Sequence, residues 1–471
     1  MLVAATTGGK VLAVSSESQA QTVLEAVRSY GYNATAFQVL EPGFEYWFAP
    51  DGAGTVAYVD TGSAWVAAGA PLAPAEKLAD VARQFEAAAA LSGRRVCFVA
   101  VEQRFLQAAA SLDLQALQIG EQPVWDPQAW PSIAKSSRSL REQLRRARAK
   151  GVTIELLAPE QLADPESPVR AQVERLLRAW LSSRNMAPLG FLVQLHVFSY
   201  VAERCCFVAR QHDRVIGFLG MIPVYARGGW FIEDFLREPN APNGTSELMI
   251  DAAMQAALQK GARFVTLGLS PLAGTVVPVL QWASRWGAAL YDFAGLRAFK
   301  AKLKPERWDP IYIAFQMRTS GWLALYDMLK ALARGNLLRF GIETVLRGPA
   351  VVLRALSLFL VPWTVLLAAA DSAHWFPSPW IKWGWVGFDL LLTAALLRLS
   401  TRWDERLGIA VAAAATFDAV ATTVEAIGYN WPRASTWQDA CVIVISMLAP
   451  VLAAIILWRA HARHRITLGF H

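Results

Sequence analysis

Apolar and polar positions follow one rhythm through most of this chain and another at its end. Residues 44–48, 55–59 and 65–68 are short β-type runs split by Gly, Pro and Asp, which predicts a meander. A helical stretch follows over 74–91, then a strand over 95–101. From Cys205 the order returns. "CCFVAR", "RVIGFLGMIPVYA" and "WFIEDFL" predict three strands, 246–260 a helix and 264–269 a strand. Strand, strand, strand, helix, strand therefore occurs twice, which marks an internal repeat of α/β units. Two such units packed together form a cleft at their junction, a usual place for a ligand.

From Pro349 onward the pattern changes to long apolar runs at about 349–370, 383–399, 407–427 and 440–458. Each is close to the ~20 residues that span a bilayer, the second at the short limit. Arg334, Arg339 and Arg347 precede the first run. Arg398, Arg402 and Arg406 follow the second, and Arg459, Arg463 and Arg465 follow the fourth. The other two loops carry only Lys382 and Arg433. The positive-inside rule then places both termini and the α/β region in the cytoplasm, beside a membrane crossed four times. Asp389, Asp418 and Glu425 fall inside these runs. Carboxylates at that depth are costly and are functional candidates, unless they are satisfied within a small bundle.

Composition supports a soluble part joined to a membrane part. Hydrophobic residues are 54% of the chain and charged residues 18%, against roughly 25% charged in soluble domains. The net charge of +7 suits a polyanion or an anionic lipid surface, although basic cytoplasmic loops contribute to it. Cys97, Cys205, Cys206 and Cys441 form no CxxC pair, and the histidines show no ligand spacing, so no metal site is expected. The N-terminus "MLVAATTGGKVLAVSSESQA" lacks the marks of a signal peptide.

Candidate chemistry concentrates in "GWFIEDFLREPNAPNGTSELMIDAAMQAA", residues 229–257. A buried strand carries Glu233, Asp234 and Arg237, a Pro/Asn/Gly loop follows, and then a helix begins. Asp234 and Arg237 point to opposite faces of a regular strand and share one only across a bulge. Otherwise Glu233 is the better partner for Arg237. Asn243, Gly244 and Thr245 read as a helix-cap segment with Glu247 in the first turn. Ser270 stands at a strand end, where it contacts substrate or caps a turn. Arg204 is either a cation in the cleft or a strand-end surface residue. His196 is more simply a core histidine than a base.

Two basic stretches flank this region. Residues 135–151 hold Lys135, Arg138, Arg141, Arg145, Arg146, Arg148 and Lys150 against Glu142, with Leu140, Leu144 and Ala147 at helical spacing. This is a basic amphipathic helix for RNA phosphate or anionic lipid, or else a solvated helix on the core. Residues 295–315 group Arg297, Lys300, Lys302, Lys304 and Arg307 among aromatics.

The repeated order resembles the GNAT acyltransferase fold, in which the fourth strand splays from its neighbour and the next loop cradles a coenzyme A pyrophosphate on a helix N-terminus. Here that loop, "EPNAPNGTSE", lacks the Arg/Gln-x-x-Gly-x-Gly/Ala pattern. Several phrases occur in order over about residues 31–315: "GYNATAFQVLEPGFEYWF", "LREQLRRARAKGV", "EDFLREPNAPNGTSELMIDAA", "LGLSPLAG" and "YDFAGLRAFKAKLKPERWDPIYIAF". Together they resemble the bacterial phosphatidylglycerol lysyltransferases, or multiple peptide resistance factors. The resemblance implies an α/β (α+β) tandem GNAT-like domain, here followed by an all-α four-helix transmembrane region. Its expected boundaries are 1–130 and 131–316 for the two units, 317–348 for an amphipathic linker and 349–471 for the membrane region.

It also implies transfer of an aminoacyl group from aminoacyl-tRNA to a lipid hydroxyl, with aminoacyl-tRNA as co-substrate, no cofactor, and a membrane phospholipid as the other partner. Homo-oligomerisation is left open. In that reading Asp234 is the base and Arg237, in an Asp-x-x-Arg match, holds phosphate or developing negative charge. Lys300, Lys302 and Lys304 take tRNA or lipid phosphate, with Arg204, Arg297, Asn243, Thr245, Glu247 and Ser270 as substrate contacts. The family's well-known members carry many membrane helices ahead of this domain, whereas here the apolar runs follow it. A coenzyme A-dependent acyltransferase and a non-catalytic membrane sensor or transport component are the competing readings.

Overall fold

The computed structural model describes residues 16–183, 187–271, 293–347, 349–370, 375–401 and 404–468. The N-terminal stretch, Arg402 and the side chains of Arg347, Arg463 and Arg465 lie outside the described residues. The chain divides into two compact units, one holding the α/β sheet up to Leu337 and one holding the helices from Leu338 onward.

The first unit is built on a twelve-stranded sheet. Its strands are β1 (Glu45–Phe48), β2 (Thr55–Asp60), β3 (Ala64–Ala68), β4 (Arg95–Glu102), β5 (Leu114–Trp125), β6 (Val152–Leu156), β7 (Cys205–Gln211), β8 (Arg214–Val224), β9 (Gly229–Arg237), β10 (Val265–Thr266), β11 (Ser270–Pro271) and β12 (Arg307–Gln316). The spatial order is β1-β2-β3-β4-β12-β5-β10-β9-β8-β7-β6, with β11 pairing β5.

Both predicted repeats are present. β1, β2 and β3 form an antiparallel meander, the Leu78–Leu91 helix crosses over, and β4 returns parallel to β3. β7, β8 and β9 do the same, with the Thr245–Gln259 helix leading to β10 parallel to β9. Four strands were not foreseen: β5, β6, the short β11 and β12. β5 follows the first repeat in sequence yet pairs with β10 of the second. β12 follows the second repeat yet pairs with β4 of the first. The two cross at the middle and pair along the whole of β12. The repeats thus share one continuous sheet.

The two faces of the second repeat pack differently. Ile232 and Phe235 of β9 join Leu248 and Met249 of the Thr245–Gln259 helix and Leu140 and Leu144 of the Arg138–Ala149 helix. Phe231 lies in another cluster with Ile222 and with Phe37 from the 3-10 helix Ala34–Leu40. Each cluster removes large apolar side chains from water, at about 1.5–3 kcal/mol per fully buried Leu, Ile or Phe.

The Gly321–Leu332 helix is docked on this unit by Asp327, which is 1% exposed and pairs with Arg95 at 2.9 Å. Its other face leaves Trp322, Tyr326 and Leu329 exposed.

Among the described residues, the second unit contains four helices long and apolar enough to cross a membrane: Pro349–Ala369, Pro379–Thr401, Glu405–Glu425 and Trp437–Leu468. The second is longer than its hydrophobic run predicts, because Trp380, Ile381 and Lys382 extend it at the start. Leu353, Leu396, Ala412 and Leu457 pack at its centre.

Candidate active site

β9 and β10 pair only at Trp230 with Val265 and Phe231 with Thr266. Beyond Phe231 the strands separate, and the chain after β10 pairs with β5 through Ser270 and Pro271. The expected splay is therefore present. Gly268 sits against the Phe231 ring, where an added Cβ would lie 2.5 Å from a ring carbon. Its φ of +68° also favours glycine.

A bulge in β9 decides which charges meet. Gly220 of β8 is opposite Asp234 and the next residue, Met221, is opposite Ile232, so Glu233 is the extra residue. Extra residues of this kind put two consecutive side chains on one face. Glu233 and Asp234 both reach Arg204, at 2.9 and 3.1 Å from Nη1. The bulge lies before Asp234, so Arg237, three residues later, remains on the opposite face. The sequence expectation that Arg237 partners Asp234 or Glu233 is thereby corrected. Arg204 is the partner of both, and it is a buried residue, not a surface one.

The rest of the cluster comes from the first repeat and the loop before β7. Arg204 Nη2 donates to Glu41 at 2.8 Å, and its Nε donates to the Ser199 carbonyl at 2.9 Å. Ser199 Oγ donates to Glu41. Gln38 Nε2 donates to Glu233 at 2.6 Å. His196 Nδ1 lies 3.8 Å from Glu41, at the rim of the cluster. Burial works against the Arg204 cation, and the charges of Glu233, Asp234 and Glu41 outweigh it. Burial raises the Glu233 carboxyl, opposed by Arg204 and Gln38. Burial and the Glu233 charge push Asp234 well above the ordinary carboxylate range. Asp234 is 0% exposed and among the described residues its Oδ1 has no hydrogen-bond partner, so it does not face solvent as an open base would.

A second polar group lies across the splay. Lys300, on the Phe293–Lys302 helix, is 4% exposed. Its Nζ donates to the Gly268 and Leu269 carbonyls at 2.8 and 3.0 Å. Burial lowers it to about 7. Lys300 is thus not the surface phosphate contact that its sequence neighbourhood suggests. Lys302 and Lys304 are exposed. Arg297 pairs with Glu121 at 3.4 Å and lies over Trp308. Ser270 is fully buried, and among the described residues its Oγ has no partner.

The loop before the Thr245–Gln259 helix forms the expected cap segment, through backbone and not through a side chain. Gly244 is the N-cap residue at φ +93°, and no side chain caps the helix. Thr245 is buried and donates to the Pro242 carbonyl at 2.7 Å, while Asn243 is exposed. Glu247 is half-buried in the first turn. Gly244 packs so closely on the Gln143 carbonyl that an added Cβ would lie 2.0 Å from its oxygen. The Arg138–Ala149 helix therefore sits against the end of the helix where a GNAT fold would place a pyrophosphate.

That basic helix buries Leu140, Leu144 and Ala147. Arg145 and Arg146 share Glu142, and Arg148 reaches Asp251 at 3.5 Å. Arg141 donates to the Lys135 carbonyl, and Arg138 is exposed. Arg148 thus has an acidic partner invisible in the local sequence.

The model of the phosphatidylglycerol lysyltransferase C-terminal family matches residues 25–315. The chain belongs to this family. A phosphatidylglycerol lysyltransferase of Bacillus subtilis is 23% identical over 301 residues, covering 62% of this chain and 34% of that protein. A lysylphosphatidylglycerol biosynthesis bifunctional protein of Mycolicibacterium vanbaalenii is 27% identical over 229 residues, covering 44% and 20%. The chain spans about a third of the first curated relatives it matches, including 37% of a Corynebacterium glutamicum protein. Among solved structures, a C-terminal domain from Agrobacterium fabrum matches with a TM-score of 0.59 and 24% identity, over 68% of this chain and 99% of that one. A Bacillus licheniformis structure named L-PGS matches with 0.57 and 20%, over 66% and 96%. These likenesses establish the tandem GNAT-like fold of the family.

Glu41, Gln38 and Ser199 escaped the sequence reading. Their contacts with Arg204 and Glu233 bridge the two repeats, and no local pattern announces them.

Proposed function

We propose that this chain transfers an aminoacyl group from aminoacyl-tRNA to a head-group hydroxyl of a membrane phospholipid, with no bound cofactor. The observation that carries the reading is the family match over residues 25–315, laid on a tandem sheet that splays beside a buried acid–base cluster.

An aminoacyl ester is already activated, so the protein has to position the acceptor and manage charge. The lipid hydroxyl oxygen attacks the ester carbonyl carbon and gives its proton to a base. The bond from that carbon to the tRNA ribose oxygen then breaks, and the ribose oxygen takes up a proton. One ester forms as another is lost. Lys300 suits the proton transfer, since an amine titrating at about 7 is partly neutral at physiological pH. Asp234, shut off from solvent, is assigned with Glu233 and Arg204 to positioning the β9 edge of the opening. Ser270 on β11, whose buried hydroxyl has no partner among the described residues, is assigned to the opposite edge.

Exposed Arg138, Arg141, Arg145 and Arg146, with Lys302 and Lys304, are the tRNA or lipid phosphate contacts in this reading. The basic loops orient the chain in the bacterial inner membrane with the α/β unit and both termini in the cytoplasm. The apolar face of Trp322, Tyr326 and Leu329 is suited to a membrane interface. A coenzyme A-dependent reaction has less support, because the Gln143 carbonyl packs at Gly244.

Lipid mass spectrometry of cells expressing the wild type and Lys300→Met tests the reading. A lipid heavier by one amino-acid residue, present only with the wild type, supports it and identifies the cargo. With purified chain, product from an acyl-coenzyme A but none from charged tRNA would replace it with the coenzyme A reaction.

A further inference from the structure

The helical unit holds a cavity of about 370 Å³. Its wall is mainly leucine, alanine and aromatic side chains, as expected between apolar helices. Three carboxylates are set into that wall: Asp389, Asp418 and Glu425. No Lys, Arg or His is among the described residues that line it. Asp389 is only 5% exposed. Asp418 accepts a hydrogen bond from Thr422 at 2.8 Å, and Glu425 accepts one from Trp385 Nε1 at 3.1 Å. The other Glu425 oxygen, Oε1, is buried and has no hydrogen-bond partner among the described residues, and the same is true of Asn430 Oδ1. The helix bearing Asp418 and Glu425 passes directly into a π-helical turn at Ala426–Asn430. Such turns are rare and are frequent at functional sites.

Carboxylates in an apolar bundle are costly unless something neutralises them. No set of acidic side chains among the described residues is grouped closely enough to hold a metal ion. A hydrated inorganic cation is also a poor match for a largely hydrocarbon wall. Trp363 and Trp385 line the same space as the acids, and indole faces attract organic ammonium groups. We propose that this cavity binds a cationic amphiphile, with its ammonium group among Asp389, Asp418 and Glu425 and its alkyl part along the leucine wall. The site is independent of the transfer chemistry and gives the membrane helices a ligand of their own. An aminoacylated phospholipid and a foreign alkylammonium share the required chemistry.

The test is equilibrium binding to the purified full chain in neutral-detergent micelles at pH 7, without tRNA. The probes are dodecylamine against dodecanol, and lysyl-phosphatidylglycerol against phosphatidylglycerol. At least one ammonium probe should bind about tenfold or more tightly than its counterpart, which is ~1.4 kcal/mol. The Asp389→Asn/Asp418→Asn/Glu425→Gln chain should lose that preference and keep its affinity for dodecanol. If the triple variant does not fold, Glu425→Gln alone should lower the preference by about threefold or more. Preference for the lysyl lipid alone identifies a lipid ligand, and preference for dodecylamine alone a foreign amphiphile. Equal affinities within both pairs, or a preference untouched by neutralising the acids, overturns the proposal. Since no transfer is measured, a chain inactive on tRNA can still pass, and an active one can still fail.

Discussion

Arg204 and Asp234 meet at 3.1 Å with each side chain only 1% exposed. The same guanidinium also serves Glu233 and Glu41. Removing the cation from such a cluster strands buried carboxylates. Arg204→Met is expected to destabilise the α/β unit by about 3–5 kcal/mol. Arg204→Lys should recover only part of this, because an ammonium cannot reproduce the forked donors. Denaturant unfolding of the full chain in detergent, followed by far-UV circular dichroism, measures both. An unchanged midpoint for Arg204→Met would reject the cluster as a structural element.

The raised pKa of Asp234 makes its contribution depend on pH. Its folded value lies above its unfolded one. The stability it contributes is thus complete below the unfolded carboxylate range and is lost as pH rises through the folded value. Asp234→Asn cannot ionise. The melting temperature of the wild type relative to Asp234→Asn should therefore fall as pH rises above the ordinary carboxylate range. A difference that stays constant, or grows with pH, contradicts the burial-driven shift.

Lys300 has the opposite linkage. Its folded value of about 7 lies below the ordinary 10.5, so the unfolded chain binds more protons between those limits. Stability from this residue should rise with pH across that window. If its amine takes the hydroxyl proton, transfer should also rise through about pH 7. Lys300→Met should lower kcat by about 100-fold or more and remove that rise. Lys300→Arg should not rescue it, since a guanidinium stays charged. Steady-state transfer from charged tRNA at several pH values provides the check, and a Lys300→Met chain with the wild-type profile would exclude the residue from proton transfer.

The repeat was legible because each of its strands alternates or runs apolar between turn residues. β5 was not, because Gln115, Gln118, Glu121, Gln122 and Pro123 give it the look of a loop. It becomes a central strand only because β12 and β10 pair with its two edges. The site was half legible for a similar reason. Glu233 and Asp234 stand out as charges on a buried strand, but their partner depends on a bulge that no local pattern marks. Glu41 is 163 residues from Arg204 in sequence and meets it only in the fold. Lys300 was grouped with Lys302 and Lys304 by spacing, while the helix turns it inward to two carbonyls.

The exposed arginines of the Arg138–Ala149 helix predict a salt-dependent encounter with tRNA. Arg138→Gln/Arg141→Gln leaves the buried Leu140, Leu144 and Ala147 in place. Melting should be unchanged, while the slope of log affinity against log salt becomes shallower by about 0.7 for each phosphate that is no longer neutralised. Filter binding of charged tRNA between low and moderate salt measures the slope. Identical slopes would direct these arginines to lipid or to solvent.

Gly244 joins that helix to the second repeat of the sheet. Its φ of +93° is strained for any other residue, and a Cβ there would stand 2.0 Å from the Gln143 oxygen. The approach is to backbone, so no side-chain rotation relieves it. Gly244→Ala must either displace the Arg138–Ala149 helix or distort the start of the Thr245–Gln259 helix, and a loss of about 1–3 kcal/mol is expected. Hydrogen exchange locates the damage. Faster exchange in residues 138–149 with little change in β1 to β4 fits a displaced basic helix. In that case tRNA affinity should fall together with stability, whereas Arg138→Gln/Arg141→Gln lowers affinity alone. A Gly244→Ala chain with wild-type exchange and melting would show that the two helices do not depend on this close approach.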